Sequence, residues 1–274
     1  MWSSEAEQIQ AIIDFALAED IGDGDVTSQY TVPADRQYAG EFLVKAHGVI
    51  AGLDVTERCF RTVEPTVRFE QFFTDGAVVK PGDIVAKVAG PGQALLSAER
   101  TALNFLQRMS GIATATHRYV EAVAGTNAVI LDTRKTAPGQ RLTDKQAVAW
   151  GGGQNHRIGL FDMALIKENH IAAAGGITSA VNGVRAGDMQ ERPIEVEVRT
   201  FAELEEALAL NVDRIMLDNM TTTQMRAAVA LVGGGVPLEA SGGVNLETVR
   251  AIAATGVDYI SVGALTHSVV ALDV

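Results

Sequence analysis

Residues 131–171 read LDTRKTAPGQRLTDKQAVAWGGGQNHRIGLFDMALIKENHI and form the most distinctive stretch of the chain. Basic side chains outnumber acidic ones here, although the whole 274-residue chain carries a formal net charge of -12. Pro138-Gly139 and the three glycines at 151–153 interrupt the basic run and allow the backbone to approach a neighbour closely. The local reversal of charge predicts a site for a small, multiply charged anion rather than a solvated loop with incidental charge.

Apolar segments within and beyond this stretch alternate with helical patterns up to the end of the chain. The candidate strands are Val129–Asp132, Met163–Ile166, Ile194–Val198, Arg214–Leu217, Pro237–Ala240 and Tyr259–Val262. Helices are predicted between them, and two begin at the capping-box sequences Thr200–Glu203 and Thr221–Gln224. Repeated strand–helix units indicate a parallel sheet.

Polar residues or glycines follow most of these strands. They are Thr133, Arg134 and Lys135, then Lys167, Glu197 near a strand end, Asp218, Ser241-Gly242-Gly243 and Gly263-Ala264. Polar groups at the carboxyl ends of parallel strands are typical of a (β/α) barrel site. A complete barrel has eight strands, so this pattern predicts an α/β fold with an incomplete (β/α) barrel of about six to seven parallel strands. The alternative is a doubly wound open sheet, which would bind a ligand at a single switch point.

The first part of the chain has a different pattern. Ser4–Glu7 is a capping-box sequence that opens a helix, and the Gly- and Asp-rich segment Asp20–Asp25 is interpreted as a turn. The predicted strands are Ala39–Ala46, Val49–Ala51, Val67–Phe73 and Ile84–Val88, with a helix near Val55–Phe60. A further helix from Leu95 to about Ala124, interrupted near Gly111, is expected to link two domains. We predict an N-terminal α+β sandwich domain over residues 1–110, to which the tail 265–274 can be added, and a barrel domain over residues 111–264.

The composition excludes several classes of function. The acidic balance argues against nucleic acid as a partner, because phosphates require a broad basic surface. No window approaches the ~20 apolar residues that a membrane span requires, and the N-terminus lacks the pattern of a signal peptide. Cys59 is the single cysteine, which excludes an internal disulfide and favours a reducing compartment. We therefore expect a cytoplasmic protein in which Cys59 is a small buried hydrophobe.

Basic side chains supply the candidate anion-binding groups. Arg134, Arg157 and Arg100 suit carboxylates because a guanidinium can bind them in bidentate fashion, although a single arginine more often forms a surface ion pair. Lys135 and Lys167 suit a pyrophosphate as mobile point charges. Lys167 ends an apolar strand, where it could alternatively form a Schiff base. The glycine loops after the last two strands suit a phosphate, because their backbone N–H groups can cradle it.

Acidic residues are candidates for a cation or a sugar. Glu195 and Glu197 alternate with apolar residues and so share one face of their strand. An inward-facing acidic pair is costly unless it holds a cation. Glu197 and Asp218 are therefore predicted to bind Mg²⁺ or ribose hydroxyls. Asp213 and Asp258 begin their strands and are expected to be structural.

Two histidines lie in the motifs of the basic stretch. His156 is followed by Arg157, and it either donates a hydrogen bond to a carboxylate or orders its own loop. His170 is expected to cap a helix or to pack against one.

The motifs TRKTxPGxR, GGGxNHRxGLxD and LIKxNH, in this order and spacing, resemble those of the quinolinate phosphoribosyltransferase family, the carboxylating nicotinate-nucleotide pyrophosphorylases. Four further blocks are similar to that family: Glu19–Thr27, Ala98–Thr114, Glu239–Asn245 and Ser261–Ser268. The resemblance spans nearly the whole chain. Gln146 and Arg199 depart from the commoner pattern of the family.

The resemblance implies an enzyme of de novo NAD biosynthesis that converts quinolinate and phosphoribosyl pyrophosphate into nicotinate mononucleotide, pyrophosphate and CO2 with Mg²⁺. It gives catalytic roles to Lys135, Lys167, Glu197 and Asp218, the last two also holding the metal directly, through water or through ribose. It gives substrate-binding roles to Arg100, Thr133, Arg134, His156, Arg157, Ser241, Gly242, Gly243, Gly263 and Ala264.

The resemblance also implies a homodimer with shared active sites, or a higher oligomer, in which Arg100 enters the site of the partner subunit. The alternative for Arg100 is an ordinary ion pair with Glu99 or a helix neighbour. Two other functions remain open: a relative of the same fold associated with molybdate transport, and a silent ligand-binding protein. This chain keeps the NHR and IKxNH motifs, from which the molybdate-associated relatives tend to depart.

Overall fold

The computed structural model describes residues 4–274, which divide into two compact units. The first unit contains the residues up to His117 together with Thr136–Gly152 and Leu265–Val274. The second contains Arg118–Lys135 and Gly153–Ala264. The two basic ends of the 131–171 stretch therefore belong to the second unit.

The helices and strands follow one another along the chain with short connections. The helices are α1 (Glu5–Ile21), α2 (Val26–Thr31), α3 (Leu53–Val63), α4 (Gly92–Ala122), α5 (Arg141–Trp150), α6 (Glu168–Ala174), α7 (Ile177–Gly187), α8 (Phe201–Ala209), α9 (Thr222–Val232), α10 (Val249–Ala253) and α11 (Ala264–His267). The strands are β1 (Gln37–Leu43), β2 (Gly48–Val49), β3 (Arg68–Gln71), β4 (Val78–Val79), β5 (Ile84–Pro91), β6 (Val129–Leu131), β7 (Ala164–Ile166), β8 (Ile194–Val198), β9 (Arg214–Asp218), β10 (Leu238–Ser241) and β11 (Tyr259–Ser261).

The first unit combines antiparallel strands with helices. β1, β5 and β3 form a three-stranded antiparallel sheet, and β2 pairs with β4, a short strand that the sequence pattern did not predict. Phe42, Phe60 and Phe69 pack with ring centroids 5.7–6.2 Å apart between this sheet and α3. Cys59 is fully buried, and burial raises the pKa of its thiol to about 12, so it behaves as the predicted small hydrophobe.

Helix α4 runs without a break from Gly92 to Ala122, so the predicted interruption near Gly111 is wrong. A Cβ atom at Gly111 would lie 2.2 Å from the carbonyl oxygen of Val270. The glycine is therefore required because the C-terminal segment passes against the helix, and its helical conformation costs only about 1 kcal/mol relative to alanine.

The second unit is built on six parallel strands in the order β6-β11-β10-β9-β8-β7. The first strand pairs with the last, and the two edges are β6 and β7. Neighbours follow the chain order around the sheet without the reversal that defines a doubly wound fold. The predicted incomplete barrel is confirmed, and the six strands lie where the apolar segments placed them.

Local interactions hold the strands in register as the sequence predicted. Thr200 and Thr221 form reciprocal capping boxes at the starts of α8 and α9. Asp213 accepts a hydrogen bond from the backbone of Ile194 at 2.7 Å, and Asp258 accepts one from Leu238 at 2.8 Å. Both aspartates are thus structural. No helix within residues 4–274 is long and apolar enough to cross a lipid bilayer.

Candidate active site

The polar residues predicted at strand ends all belong to one edge of the six-stranded sheet. Lys167 follows β7, Glu197 lies one residue before the end of β8, and Asp218 and Ser241 are the last residues of β9 and β10. Gly263 follows β11 by two residues. Because the strands are parallel, these positions converge at the carboxyl edge, where barrel proteins bind their ligands.

Lys167 and Glu197 form an ion pair at this edge. Lys167 Nζ donates a hydrogen bond to Glu197 Oε2 across 2.8 Å. The lysine side chain is 44% exposed and the glutamate 9%, so the cation faces the opening and the carboxylate lies beneath it. His170 accepts a hydrogen bond from the Lys167 backbone N–H at 3.0 Å, which confirms the capping role predicted for His170.

Asp218 is held by two neighbours. Its Oδ2 accepts a hydrogen bond from Arg199 Nε at 3.1 Å, and its Oδ1 accepts one from Asn219 Nδ2 at 3.0 Å. A Cβ atom at Gly242 would lie 2.2 Å from Asn219 Oδ1, and Gly242 has a φ of +98°. Glycine is therefore required at 242 for both reasons, and the loop after β10 lies directly against the end of β9.

A buried polar cluster lies within the sheet, nearer the amino-terminal ends of β8, β9 and β10. His156 Nε2 is 3.0 Å from Glu195 Oε2 and 3.4 Å from Glu239 Oε2, and all three residues are buried. Arg214 Nη1 donates to Glu239 Oε2 at 3.1 Å. One potential metal-ligand atom from each of His156, Glu195 and Glu239 lies within 4.8 Å of the others, a spacing that would suit a metal ion. Arg214 already supplies a positive charge to this set, so the cluster approaches neutrality through its own side chains.

The cluster holds an additional proton. Burial alone would lower the pKa of His156, but hydrogen bonds to Glu195 and Glu239 outweigh burial and raise the pKa to about 9. Burial also raises the pKa of Glu195, against the opposing hydrogen bond from His156. The Arg157 N–H donates to His156 Nδ1 at 2.7 Å, a bond that a proton on Nδ1 would remove. Nε2 is the ring nitrogen that faces Glu195 and Glu239, so the proton they stabilise is shared through Nε2 and the titration belongs to the cluster as a whole.

This cluster fixes the loop that carries Arg157. The backbone N–H of His156 donates to Asp132 Oδ1 at 2.8 Å, which ties the loop to the end of β6. The ring then anchors the same residue to Glu195 and Glu239. The loop-ordering alternative predicted for His156 is thus confirmed, whereas its hydrogen bond to a carboxylate of the substrate stays a prediction.

Arg157 is a buried cation with an unused donor. Its Nη1 donates to the carbonyl oxygen of Met163 at 3.0 Å, whereas its buried Nε has no hydrogen-bond partner among residues 4–274. Desolvation lowers the pKa of Arg157, and the charge of Arg134 lowers it further. Two guanidinium groups that repel each other next to an unsatisfied donor form an arrangement that an anion would stabilise.

The remaining predicted residues occupy separate positions. Thr133 Oγ1 accepts a hydrogen bond from the backbone N–H of Lys135 at 3.1 Å, which shapes the turn after β6. Ala264 begins α11. Arg100 is exposed on α4 in the first unit, and its side chain makes no hydrogen bond or ion pair with the rest of residues 4–274. The ion pair proposed as the alternative for Arg100 is therefore absent from the described part of the chain.

Sequence reasoning missed four residues that belong to this edge or to the buried cluster: Asp132, Arg199, Arg214 and Glu239. The signal for Glu239 was present, because Glu239 and Ser241 alternate along β10 as Glu195 and Glu197 do along β8. No local pattern indicated Arg199, whose acidic partners come from two other segments of the chain.

Comparison with known proteins identifies the family. A family model described as the C-terminal domain of quinolinate phosphoribosyl transferase matches residues 112–274, and the model of its N-terminal domain matches residues 25–110. The chain belongs to the quinolinate phosphoribosyltransferase family. The resemblance inferred from its motifs is confirmed.

Similar relatives and structures cover nearly the whole chain. A quinolinate phosphoribosyltransferase [decarboxylating] of Nicotiana tabacum is 47% identical over 97% of this chain and 81% of that protein. A probable nicotinate-nucleotide pyrophosphorylase [carboxylating] of Bacillus subtilis is 41% identical over 97% of this chain and 92% of that protein. The crystal structure of NadC from Streptococcus pyogenes superposes with a TM-score of 0.94 at 40% identity, covering 100% of this chain and 96% of that chain.

Proposed function

We propose that this member of the quinolinate phosphoribosyltransferase family converts quinolinate and phosphoribosyl pyrophosphate into nicotinate mononucleotide, pyrophosphate and CO2 in NAD biosynthesis. The observation that carries the proposal is the pairing of Arg134 with the buried Arg157, whose Nε has no partner among residues 4–274. Quinolinate carries two adjacent carboxylates, and such a dianion would satisfy the donor and relieve the repulsion.

The first chemical step is displacement at the sugar. The pyridine nitrogen attacks C1 of the ribose, the C1–O bond to pyrophosphate breaks, and the bonding electron pair leaves with pyrophosphate. Positive charge develops on the sugar in the transition state, where the carboxylates of Glu197 and Asp218 stabilise it. Lys135 and Lys167 neutralise the departing pyrophosphate, while the loops Ser241–Gly243 and Gly263–Ala264 bind the phosphate of the sugar.

The second step is decarboxylation. The bond between C2 of the ring and its carboxylate breaks, the electron pair remains at C2 beside the positively charged nitrogen, and C2 then takes up a proton. Arg134 and Arg157 orient the carboxylates, with Thr133 and His156 shaping the loops beside them. No covalent bond to the enzyme is needed, so Lys167 acts as a cation rather than as a Schiff-base nucleophile.

Mg²⁺ is the proposed metal. Glu197 and Asp218 end neighbouring strands, and each already accepts a hydrogen bond from a basic side chain. Mg²⁺ usually combines one or two carboxylates with water and substrate phosphates, so the pair suits a metal bound to the pyrophosphate of the substrate. When bound, the metal neutralises charge on the leaving group.

We also propose a cytoplasmic homodimer, or a higher oligomer built from it, with shared active sites. The support is Arg100, an exposed cation that has no partner within residues 4–274. A carboxylate of quinolinate in the site of a second copy would provide one, and a two-fold interface would create two equivalent sites.

Carbon dioxide release tests the proposal. Quinolinate labelled in its C2 carboxylate should release labelled CO2 only when phosphoribosyl pyrophosphate and Mg²⁺ are present. The Lys167→Ala variant should bind quinolinate and release little CO2. Binding of both substrates by the wild-type protein without any CO2 would show a silent ligand-binding protein instead.

A further inference from the structure

Arg199 bridges two carboxylates at the carboxyl edge of the sheet. Its Nη1 forms an ion pair with Glu168 Oε2, and its Nε donates to Asp218 Oδ2 at 3.1 Å. Glu168 follows Lys167 directly, and Asp218 ends β9, so one guanidinium connects the ends of two strands that are not neighbours in the sheet. The Arg199 side chain is 47% exposed and therefore faces the solvent at the opening.

The backbone holds Arg199 in this place. Its N–H donates to Glu203 Oε2 at 2.7 Å, within the capping box that begins α8. The residue is thus the fixed junction between β8 and the following helix. Hydrogen bonds to Asp218 and Glu168 raise the pKa of Arg199 further, so the guanidinium remains charged at every relevant pH.

Arg199 compensates the negative charges of Glu168 and Asp218, which lie on either side of it. Without it, Glu168 and Asp218 would place two unbalanced negative charges at the mouth of a site proposed to bind a pyrophosphate. Such charges repel the anion unless a cation separates them. A metal ion bound to the pyrophosphate is one such cation, and Arg199 already provides another.

We propose that Arg199 serves as a built-in cation between Glu168 and Asp218 that lets the site bind pyrophosphate with a reduced dependence on Mg²⁺. This inference rests on the proposed function, because it assigns the leaving group of that reaction to this edge. It makes Arg199 a charge-compensating residue, whose contribution is greatest when no metal is present and declines as Mg²⁺ takes over the same task.

Titration calorimetry with inorganic pyrophosphate tests the inference without turnover. In EDTA, the Kd of Arg199→Ala should exceed that of the wild-type protein about fivefold to tenfold, and saturating Mg²⁺ should reduce the difference to less than about twofold. Arg192→Ala is the matched control. It also removes one positive charge, but Arg192 lies before β8, at the opposite end of the same strand, in an ion pair with Asp188.

A second variant should change pyrophosphate affinity in the opposite direction. Glu168→Gln removes a negative charge and leaves Arg199 in place, so it should strengthen pyrophosphate binding in EDTA about twofold to threefold. Thermal unfolding of each variant confirms that it folds. The inference is overturned by equal Kd values for Arg199→Ala and Arg192→Ala, or by a loss that Mg²⁺ leaves unchanged.

The proposed function is measured separately, as turnover of quinolinate by the wild-type protein. Normal turnover with no effect of Arg199→Ala on metal-free binding overturns the Arg199 inference alone. Absent turnover together with the binding pattern given above overturns the proposed reaction and supports the role of Arg199.

Discussion

Lys167 Nζ lies 2.8 Å from Glu197 Oε2, so the cation assigned to the leaving pyrophosphate is already paired with the carboxylate assigned to the sugar. The pair joins the ends of the neighbouring strands β7 and β8. Charge separates during the reaction, as negative charge leaves with pyrophosphate and positive charge develops on the ribose. In the proposed mechanism, each partner of the pair then faces the charge opposite to its own, which would stabilise the transition state more than the bound substrates.

Glu197→Gln should therefore act on the chemical step. We expect kcat to fall on the order of 10–100-fold, with the KM for quinolinate changed less than about twofold. Steady-state kinetics with each substrate varied in turn measures both constants. Glu205→Gln, on the exposed face of α8, is the control for loss of a carboxylate. An increase in the KM for quinolinate without a decrease in kcat would contradict the role of Glu197.

Arg134→Ala and Arg157→Ala should weaken the binding of quinolinate but not that of phosphoribosyl pyrophosphate. Each variant should weaken quinolinate binding by about 1.5–3 kcal/mol, because a charge-assisted contact is lost, and should change phosphoribosyl pyrophosphate binding little. Calorimetry with each ligand alone provides the measurement. Arg185→Ala is the control, because the Arg185 guanidinium donates hydrogen bonds to the backbone carbonyls of Leu210 and Asn211. Equal losses for both ligands would show that these arginines do not recognise the dicarboxylate.

The buried cluster should make stability depend on pH. The pKa of His156 is raised from 6.5 to about 9 in the folded protein. A raised pKa stabilises the fold below the unfolded value of 6.5, and this stability is lost as the pH rises through the folded value. The effect is at most about 3 kcal/mol.

Glu239→Gln removes one of the two carboxylates that raise the pKa of His156. Its free energy of unfolding, measured by urea denaturation from pH 6.5 to 8.5, should therefore fall less steeply with pH than that of the wild-type protein. The difference between the two proteins cancels the titration of groups that they share, including Cys59. Parallel curves for the two proteins would contradict the coupling between His156 and Glu239.

Arg100 should act on the site of the partner subunit. Arg100→Ala and Lys167→Ala are each expected to be inactive as homodimers. If they are unfolded and refolded together, random pairing makes about half of the dimers mixed, each with one intact site. About a quarter of wild-type activity should return. A mixture that stays as inactive as its parents would show that Arg100 serves its own subunit or none.

The periodicity of the sequence predicted the positions of the barrel strands. β8 lies at Ile194–Val198 as predicted, because β-branched residues alternate with glutamates over its five residues. The helix interruption near Gly111 was wrong because the sequence does not show which segment approaches a glycine. The contacts of His156 with Glu195 and Glu239 join residues far apart in the chain, so no local pattern could reveal them.

The most direct test of the proposed reaction is to compare the turnover of quinolinate with that of nicotinate. Purified protein is supplied with phosphoribosyl pyrophosphate and Mg²⁺ together with one pyridine acid or the other, and nicotinate mononucleotide, pyrophosphate and CO2 are quantified. We expect equal amounts of the three products from quinolinate and little or no product from nicotinate, which lacks the C2 carboxylate. Turnover of nicotinate without turnover of quinolinate would contradict the proposed reaction.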